Sequence, residues 1–373
     1  MSSLPRITVV GHAFEPIGMG EHLRATYRSL AAVGADVAVR DVWGHPPDPV
    51  IKAELDGHVV QDFSKINVFC LNGDEIQLCL RRLQADLPRE SLNIVYPAWE
   101  LSHYPRVWAE QLERFDEVWS ASKFTHAALQ SAVRRPVIHL PLPGEIRVGK
   151  IRGRRQLCIP ESSLVFLFFF DFTSYVERKN PLATLRAFEE LRKLHADADL
   201  YLVIKTKGGS SGSPAYQSFC ESLVGVDRVM IIDKLLGEDD IKSLIWCSDC
   251  FVSLHRSEGF GFGLSAAMFL GKPVVATGYS GNLDYMTEEN SCLVRYSLCP
   301  VRNGAYPFWE GQVWADPDVE HARMYMEKLF LEPHWARQIG EAASRHIRAH
   351  YSYRASGLRY LSRISHCFTT VAV

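Results

Sequence analysis

The stretch His255-Arg256-Ser257-Glu258-Gly259-Phe260-Gly261-Phe262-Gly263 carries the most distinctive chemistry in the chain. A short apolar run, Cys250 to Leu254, precedes it. Leu264 to Leu270, of helix-favouring composition, follows, so the segment is predicted to be strand, glycine-rich turn and helix. Glycines let a backbone adopt positive φ and approach a ligand, and the free N–H groups of a helix start favour phosphate. Glu258 adds a carboxylate, which is a poor phosphate ligand but a good acceptor for sugar hydroxyls. Together they point to a ligand that is part phosphate and part sugar. Taken alone, a Gly-x-Gly-x-Gly turn fits a tight structural connection equally well.

A second set, Glu177-Arg178-Lys179-Asn180-Pro181, follows the longest apolar run, Leu164 to Phe170, which by length is a buried strand. Pro181 suits the first position of a helix, so Arg178 and Lys179 are two cations placed just beyond a strand's C-terminal end. A solvated helix start is the plain alternative for them. Neutralising a diphosphate that leaves with growing negative charge takes cations or N–H groups of this kind. No acidic metal-ligand motif accompanies them, so no metal is expected.

The elements that must position these groups alternate strand with helix. In the first half, strands are predicted at 7–11, 36–42, 66–71, 92–96, 117–120 and 137–140, with helices at 21–33, 75–87, 107–115 and 123–132. After Pro141-Leu142-Pro143-Gly144 a second series runs through 164–170, 200–205, 229–232, 250–254, 274–277 and 292–294, with helices starting near Pro181, Ala215, Asp239, Gly263 and Gly281. The helices 319–330, 334–350 and 354–367 close the chain. This alternation predicts α/β architecture, two doubly wound parallel sheets covered on both faces, with ligands at the C-terminal strand ends facing one cleft. The expected division is 1–146, 147–345 and a terminal helical segment 346–373. The first βα turn, Gly18-Met19-Gly20, lacks the full dinucleotide fingerprint, and a nicotinamide cofactor is not supported.

The segment from Ser257-Glu258-Gly259-Phe260-Gly261 through Gly271-Lys272-Pro273-Val274-Val275-Ala276-Thr277 to Gly278-Tyr279-Ser280-Gly281-Asn282-Leu283-Asp284 resembles the signature region of the retaining glycosyltransferase family 4, enzymes of GT-B fold that use nucleotide sugars. The resemblance implies a metal-independent hexosyl transfer from a nucleotide diphosphate sugar, GDP-mannose being one such donor, to a glycan or lipid-linked acceptor in surface polysaccharide assembly. It implies that Lys179, with Arg178, contacts the pyrophosphate and that Glu258 meets donor-sugar hydroxyls. The turn Gly259 to Gly263, with His255, Arg256, Asn282 and Asp284, would line the donor, although Asp284 serves as well as a helix cap. Gly18, Gly20, Glu21 and Arg24 resemble the family's loop near the donor phosphate. Glu100 and His103, in Trp99-Glu100-Leu101-Ser102-His103, stand where many relatives hold a histidine near the reacting sugar. Retention by front-face attack needs no protein nucleophile, and neither a nucleophile elbow nor a Ser-His-Asp set is evident. The terminal helix would cross back onto the first domain.

Two positions depart from that pattern. Ser174 replaces the family's arginine ahead of the lysine, and Ala266 replaces the second glutamate, which meets the donor's ribose. Losing a charged hydrogen bond of that kind costs about 1.5–3 kcal/mol. These departures keep open a non-catalytic donor-binding or scaffold subunit of an assembly complex. A nucleotide-sugar 2-epimerase of the same fold is the other alternative.

Composition bounds the rest. With 373 residues, two domains are expected. With 47% hydrophobic and 23% charged residues and a formal charge of −2, the chain reads as soluble, with no nucleic-acid partner. No stretch is long enough to span a bilayer, and the start Met1 to Arg6 lacks a signal-peptide core. The nine cysteines lack metal-ligand spacing, and reduced thiols in the cytoplasm are expected. The basic run Arg147 to Arg155 is read as a solvated linker that could touch anionic lipid at the membrane's inner face.

Overall fold

The computed structural model describes residues 4–209 and 212–371. Met1 to Ser3, the first residues of the expected leader-free start, and the last two of the expected terminal helical segment lie outside the described residues. The chain divides into one unit formed by Met1–Glu145 with Ala349–Val373 and another formed by Ile146–Arg348.

The first unit contains β1 (Ile7–Gly11), α1 (Gly18–Ala31), β2 (Val37–Asp41), α2 (Pro49–Leu55), β3 (Ile66–Cys70), α3 (Ile76–Arg82), β4 (Leu92–Val95), α4 (Arg106–Leu112), β5 (Glu117–Ser120), α5 (Lys123–Gln130) and β6 (Val137–His139). Its strands form one parallel sheet in the order β2-β1-β3-β4-β5-β6. Apolar strands such as Ile7-Thr8-Val9-Val10 are buried along their whole length, as a sheet covered on both faces requires.

The second unit contains β7 (Leu164–Phe169), α6 (Val176–Lys179), α7 (Pro181–Leu194), β8 (Leu200–Thr206), α8 (Pro214–Ser222), β9 (Val229–Asp233), α9 (Glu238–Cys247), β10 (Cys250–Ser253), α10 (Phe262–Phe269), β11 (Val274–Thr277) and β12 (Cys292–Val294). Its sheet is also parallel, in the order β12-β11-β10-β7-β8-β9. Phe166, Phe168 and Phe170 point to one face and pack with Phe188 of α7 and Phe219 of α8. Phe169 points to the other, against Phe251 at 4.9 Å between ring centroids. The sequence-based reading missed the hairpin β13 (Tyr296–Pro300) and β14 (Val313–Pro317), an antiparallel pair separate from both sheets. Its outer residues are exposed and irregular in pattern, so periodicity does not reveal it. The helix expected near Gly281 is one 3₁₀ turn, Gly281–Asp284. After α11 (Val319–Leu331) and α12 (Pro333–His350), α13 (Tyr353–Val371) packs on α1 within the first unit.

The basic run is less solvated than expected. Arg154 donates to the carbonyls of Cys247 and Ser163 and to Asp249 (2.6 Å), while Arg152 pairs with Asp240 at 2.9 Å. The exposed ends of α9 and β10 offer acceptors there, and two of the cations are used inside the second unit. Among the described residues, no helix is long and apolar enough to cross a membrane.

Glu117, 3% exposed at the start of β5, fastens α13. It accepts from Arg363 Nε at 2.9 and 3.0 Å, from Trp119 Nε1 at 3.0 Å and from Cys367 Sγ at 2.9 Å. Removing a buried acceptor strands its donors. Glu117→Ala should cost about 2–3 kcal/mol of stability, read as lost hydrogen-exchange protection in α13, with protection of β7, β8 and β10 in the second unit unchanged.

Candidate functional site

In the second unit β7 is the starting strand, with β8 on one side and β10 on the other, so the order reverses between β7 and β10. Connections from such neighbours depart in opposite directions and leave a crevice at the strand ends. The two segments singled out by their chemistry leave those two strands: residues 170–180 follow β7 and residues 254–262 follow β10.

There the structure brings Arg178, Lys179 and Glu258 together. Lys179 Nζ is hydrogen-bonded to Glu258 Oε1, and Arg178 Nη1 lies 3.2 Å from Oε2 and donates to the Ser257 carbonyl at 3.0 Å. The cations reach the carboxylate because α6 is one turn long. Asn180 ends it in the left-handed conformation (φ 52°, ψ 53°), which asparagine tolerates, and anchors by donating to the Leu254 carbonyl at 2.9 Å. Arg178 is therefore a buried partner of Glu258, which corrects the solvated-helix alternative, while Lys179 keeps partial exposure. Burial pushes the Glu258 carboxyl upward, but the opposing charges of Lys179, Arg178 and His255 outweigh it and bring it down to about 2.

The glycine-rich turn is fixed from beneath. Gly261, at φ +91°, precedes the first residue of α10 and no side chain caps that helix, so its first N–H groups are left for another acceptor. Tyr285, fully buried, donates its hydroxyl toward the carbonyls of Phe260 (2.7 Å) and Gly261 (3.0 Å). A Cβ at Gly263 would stand 2.8 Å from the Phe169 ring, and one at Gly281 would run into the backbone of Glu258 and Gly259. Ser280 sits at φ 75°, ψ −146°, strain of about 1–3 kcal/mol for a residue with a side chain. It accepts from the Glu258 N–H at 2.8 Å. Neither Ser280 nor Tyr285 announces its role in sequence, since each acts through one hydroxyl aimed at remote backbone.

Other expected donor residues have structural tasks. Phe260 is buried against Phe262 and Tyr285. His255 is buried between Ser253 Oγ and Asn282 Oδ1, both at 3.2 Å, and burial lowers its pKa. Asn282 donates to the Thr277 carbonyl at 3.0 Å, so its amide holds the 3₁₀ turn. The Arg256 side chain turns onto the hairpin, 2.7 Å from Asp316. Gly259 is buried, while Phe262, Ser174 and Asp284 are half-buried, and Ala266 is buried in α10. The hairpin loop sets Tyr306 over the Arg178 guanidinium at 5.9 Å and against Tyr175 at 4.4 Å.

In the first unit, Arg24 is buried by its own loop. It donates to the carbonyls of Ala13 and Glu15 and pairs with Glu21 at 3.1 Å, which in turn holds Arg28 at 2.8 Å. Gly20 leaves room for the Glu15 carbonyl, whereas Gly18 is open. Glu100 is half-buried and His103 exposed after β4, with the His103 carbonyl accepting from Trp99 Nε1 at 3.0 Å. At the same strand ends the sequence reading passed over His12, which bonds Glu75 at 2.6 Å and stacks on Trp43 at 3.7 Å. Among the described residues no group of three or more His, Cys, Asp or Glu side chains could hold a metal ion.

Residues 164–299, which carry β7 through the start of the hairpin, match the family model described as glycosyl transferases group 1. Solved structures match nearly the whole chain. Anabaena HepE in complex with UDP and glucose aligns over 97% of this chain and 100% of its own, with 12% identity and a TM-score of 0.69. The sucrose-phosphate synthase of Thermosynechococcus elongatus aligns over 98% and 100%, with 15% identity and a TM-score of 0.67. A glycosyltransferase from Rickettsia africae aligns over 97% and 98%, with 14% identity and a TM-score of 0.62. The chain has the GT-B fold. The comparison with curated proteins returns no match. Within this GT-B chain, the family match falls on the unit that holds Arg178, Lys179 and Glu258.

Because Glu258 is depressed from its ordinary 4.5 to about 2, it contributes stability that is present above pH 4.5 and lost as pH falls toward 2. The contribution is about 3 kcal/mol. In chemical denaturation, wild type should therefore lose more stability than Glu258→Gln between pH 5 and pH 3. Parallel pH profiles would remove the ion set from the account of this unit.

Proposed function

We propose that this protein is a retaining, metal-independent glycosyltransferase that moves a hexose from a nucleotide diphosphate sugar to a glycan or lipid-linked acceptor in surface polysaccharide assembly. The observation that carries the reading is the meeting of Lys179, Arg178 and Glu258 beside the uncapped start of α10, at the point where the strand order reverses. Without a donor, Glu258 pairs with both cations and leaves the set with one net positive charge. With one, sugar hydroxyls donate to Glu258 while the diphosphate accepts from Lys179 and from the first N–H groups of α10. As the glycosidic bond lengthens, charge accumulates on the leaving diphosphate, and fixed cations in a partly buried site stabilise it more there than in the bound donor. The acceptor attacks on the face the diphosphate leaves, and a donor phosphate oxygen takes its proton. Glu100 and His103 are the acceptor-side candidates.

HepE is seen with UDP-glucose, so UDP-glucose is tested beside GDP-mannose, the donor suggested by the sequence resemblance. The nine cysteines, all free thiols, fit a reducing cytoplasm. A second reading, a donor-binding subunit without turnover, is favoured by Ala266: α10 presents a methyl group there, so a ribose bound nearby gains no carboxylate from this position.

Incubation with a panel of nucleotide sugars, with and without oligosaccharide and lipid-linked acceptors, separates the readings. Acceptor-dependent release of nucleoside diphosphate supports transfer, tight binding without release supports the second reading, and isomerised donor supports a 2-epimerase. Lys179→Ala should lower turnover by about 100-fold or more with the circular dichroism spectrum of the folded protein retained and the melting temperature lowered by the loss of the pair with Glu258. Turnover within a few-fold of wild type would remove Lys179 from the mechanism.

A further inference from the structure

Lys205 lies one residue before the C-terminal end of β8 and is 7% exposed. Among the described residues, its ammonium makes no hydrogen bond and no ion pair within 4 Å; the side chain is largely covered while Nζ keeps some contact with solvent. Two carboxylates stand near enough to act on its charge, and both have other engagements. Asp171 is paired with Lys207 at 3.0 Å and accepts from Thr173, and Asp233 accepts from the Gly209 N–H at 3.3 Å. Burial, with the neighbouring Lys207 charge, lowers the Lys205 pKa.

The sheet register says what this lysine faces. Lys205 is directly paired with Phe169 of β7, so the two side chains project from the same face of the sheet. Phe169 lies directly under Gly263 in the first turn of α10. Lys205 is thus one strand away from the uncapped start of α10, on the same face. A largely covered lysine with no carboxylate bonded to it, beside free helix N–H groups at the ligand-binding edge of a parallel sheet, suits an incoming anion.

We infer that Lys205 is a further donor-binding residue, holding a phosphate oxygen of the nucleoside diphosphate across the sheet from Lys179. The inference rests on the donor reading above and adds a cation from a third strand. It also accounts for tolerance of serine at position 174, since β8 supplies positive charge alongside that loop: the Phe172 N–H donates to the Lys207 carbonyl at 3.0 Å, and Gly208 lies against Thr173.

The test titrates the full chain, wild type, Lys205→Met and Lys205→Arg, with UDP, GDP, inorganic pyrophosphate and uridine by calorimetry, and records melting curves without ligand. Lys205→Met should weaken the diphosphates and pyrophosphate by tenfold or more and leave uridine unchanged, and Lys205→Arg should recover part of the loss. Without ligand, Lys205→Met should melt at or above the wild-type temperature, because a charge without a partner has been removed; this separates lost binding from lost folding. Unchanged diphosphate affinity in Lys205→Met overturns the assignment, as does an equal loss for uridine. If wild type binds pyrophosphate through Lys205 but neither nucleotide, the anion site stands and the donor reading falls. If it binds none of them, both fall.

Discussion

A carboxylate taken out of water must be matched by positive charge at both oxygens, and the second unit is arranged so that this happens at Glu258. Lys179 faces one oxygen and Arg178 approaches the other, each from the connection that leaves β7. Meeting that requirement fixes much else. α6 must stop after one turn, Asn180 must turn left-handed, and the chain at Ser280 must accept an unfavourable conformation to hold the Glu258 N–H. Breaking a buried pair is far more damaging than never having formed it, so the three residues stand or fall together.

On the proposed donor reading, the same three charges let a site that is closed on itself exchange partners. Lys179 is the most exposed member, and its bond to Glu258 can be exchanged for one to a phosphate without exposing Arg178, which stays covered by Tyr306 and bonded to Ser257. A sugar hydroxyl reaching Glu258 replaces part of what Lys179 gives up. The exchange is between charge-assisted hydrogen bonds of similar strength, so the unliganded state is stable without being a trap.

The layered α/β architecture was legible because parallel strands buried on both faces are continuous apolar runs, and Leu164 to Phe169 or Ile7 to Gly11 admit little else. The glycine turn and Lys179 were legible because their types and spacing carry chemistry by themselves. What stayed hidden depends on partners far away in sequence. Arg24, Phe260 and Asn282 look like ligand-facing residues until the carbonyls, rings and amides they satisfy are known. Glu117 looks like an ordinary strand residue until Arg363 arrives from the terminal helix. Lys205 reads as the polar end of a strand, and only the pairing with Phe169 assigns it a face.

Arg256 joins the hairpin to the site through its main chain as well as its side chain. Its N–H donates to the Arg178 carbonyl at 2.7 Å and its carbonyl accepts from the Ala315 N–H at 3.0 Å, so one residue stitches α6 to β14. Evolution can therefore vary the side chain at position 256 while keeping the stitch, except that proline, lacking the N–H, would undo it. Insertions or shortening in the loop between β13 and β14 are tolerable only while they leave the Ala315 bond to Arg256 in register and Tyr306 over Arg178, which makes the hairpin a lever on a buried charge through backbone and ring together.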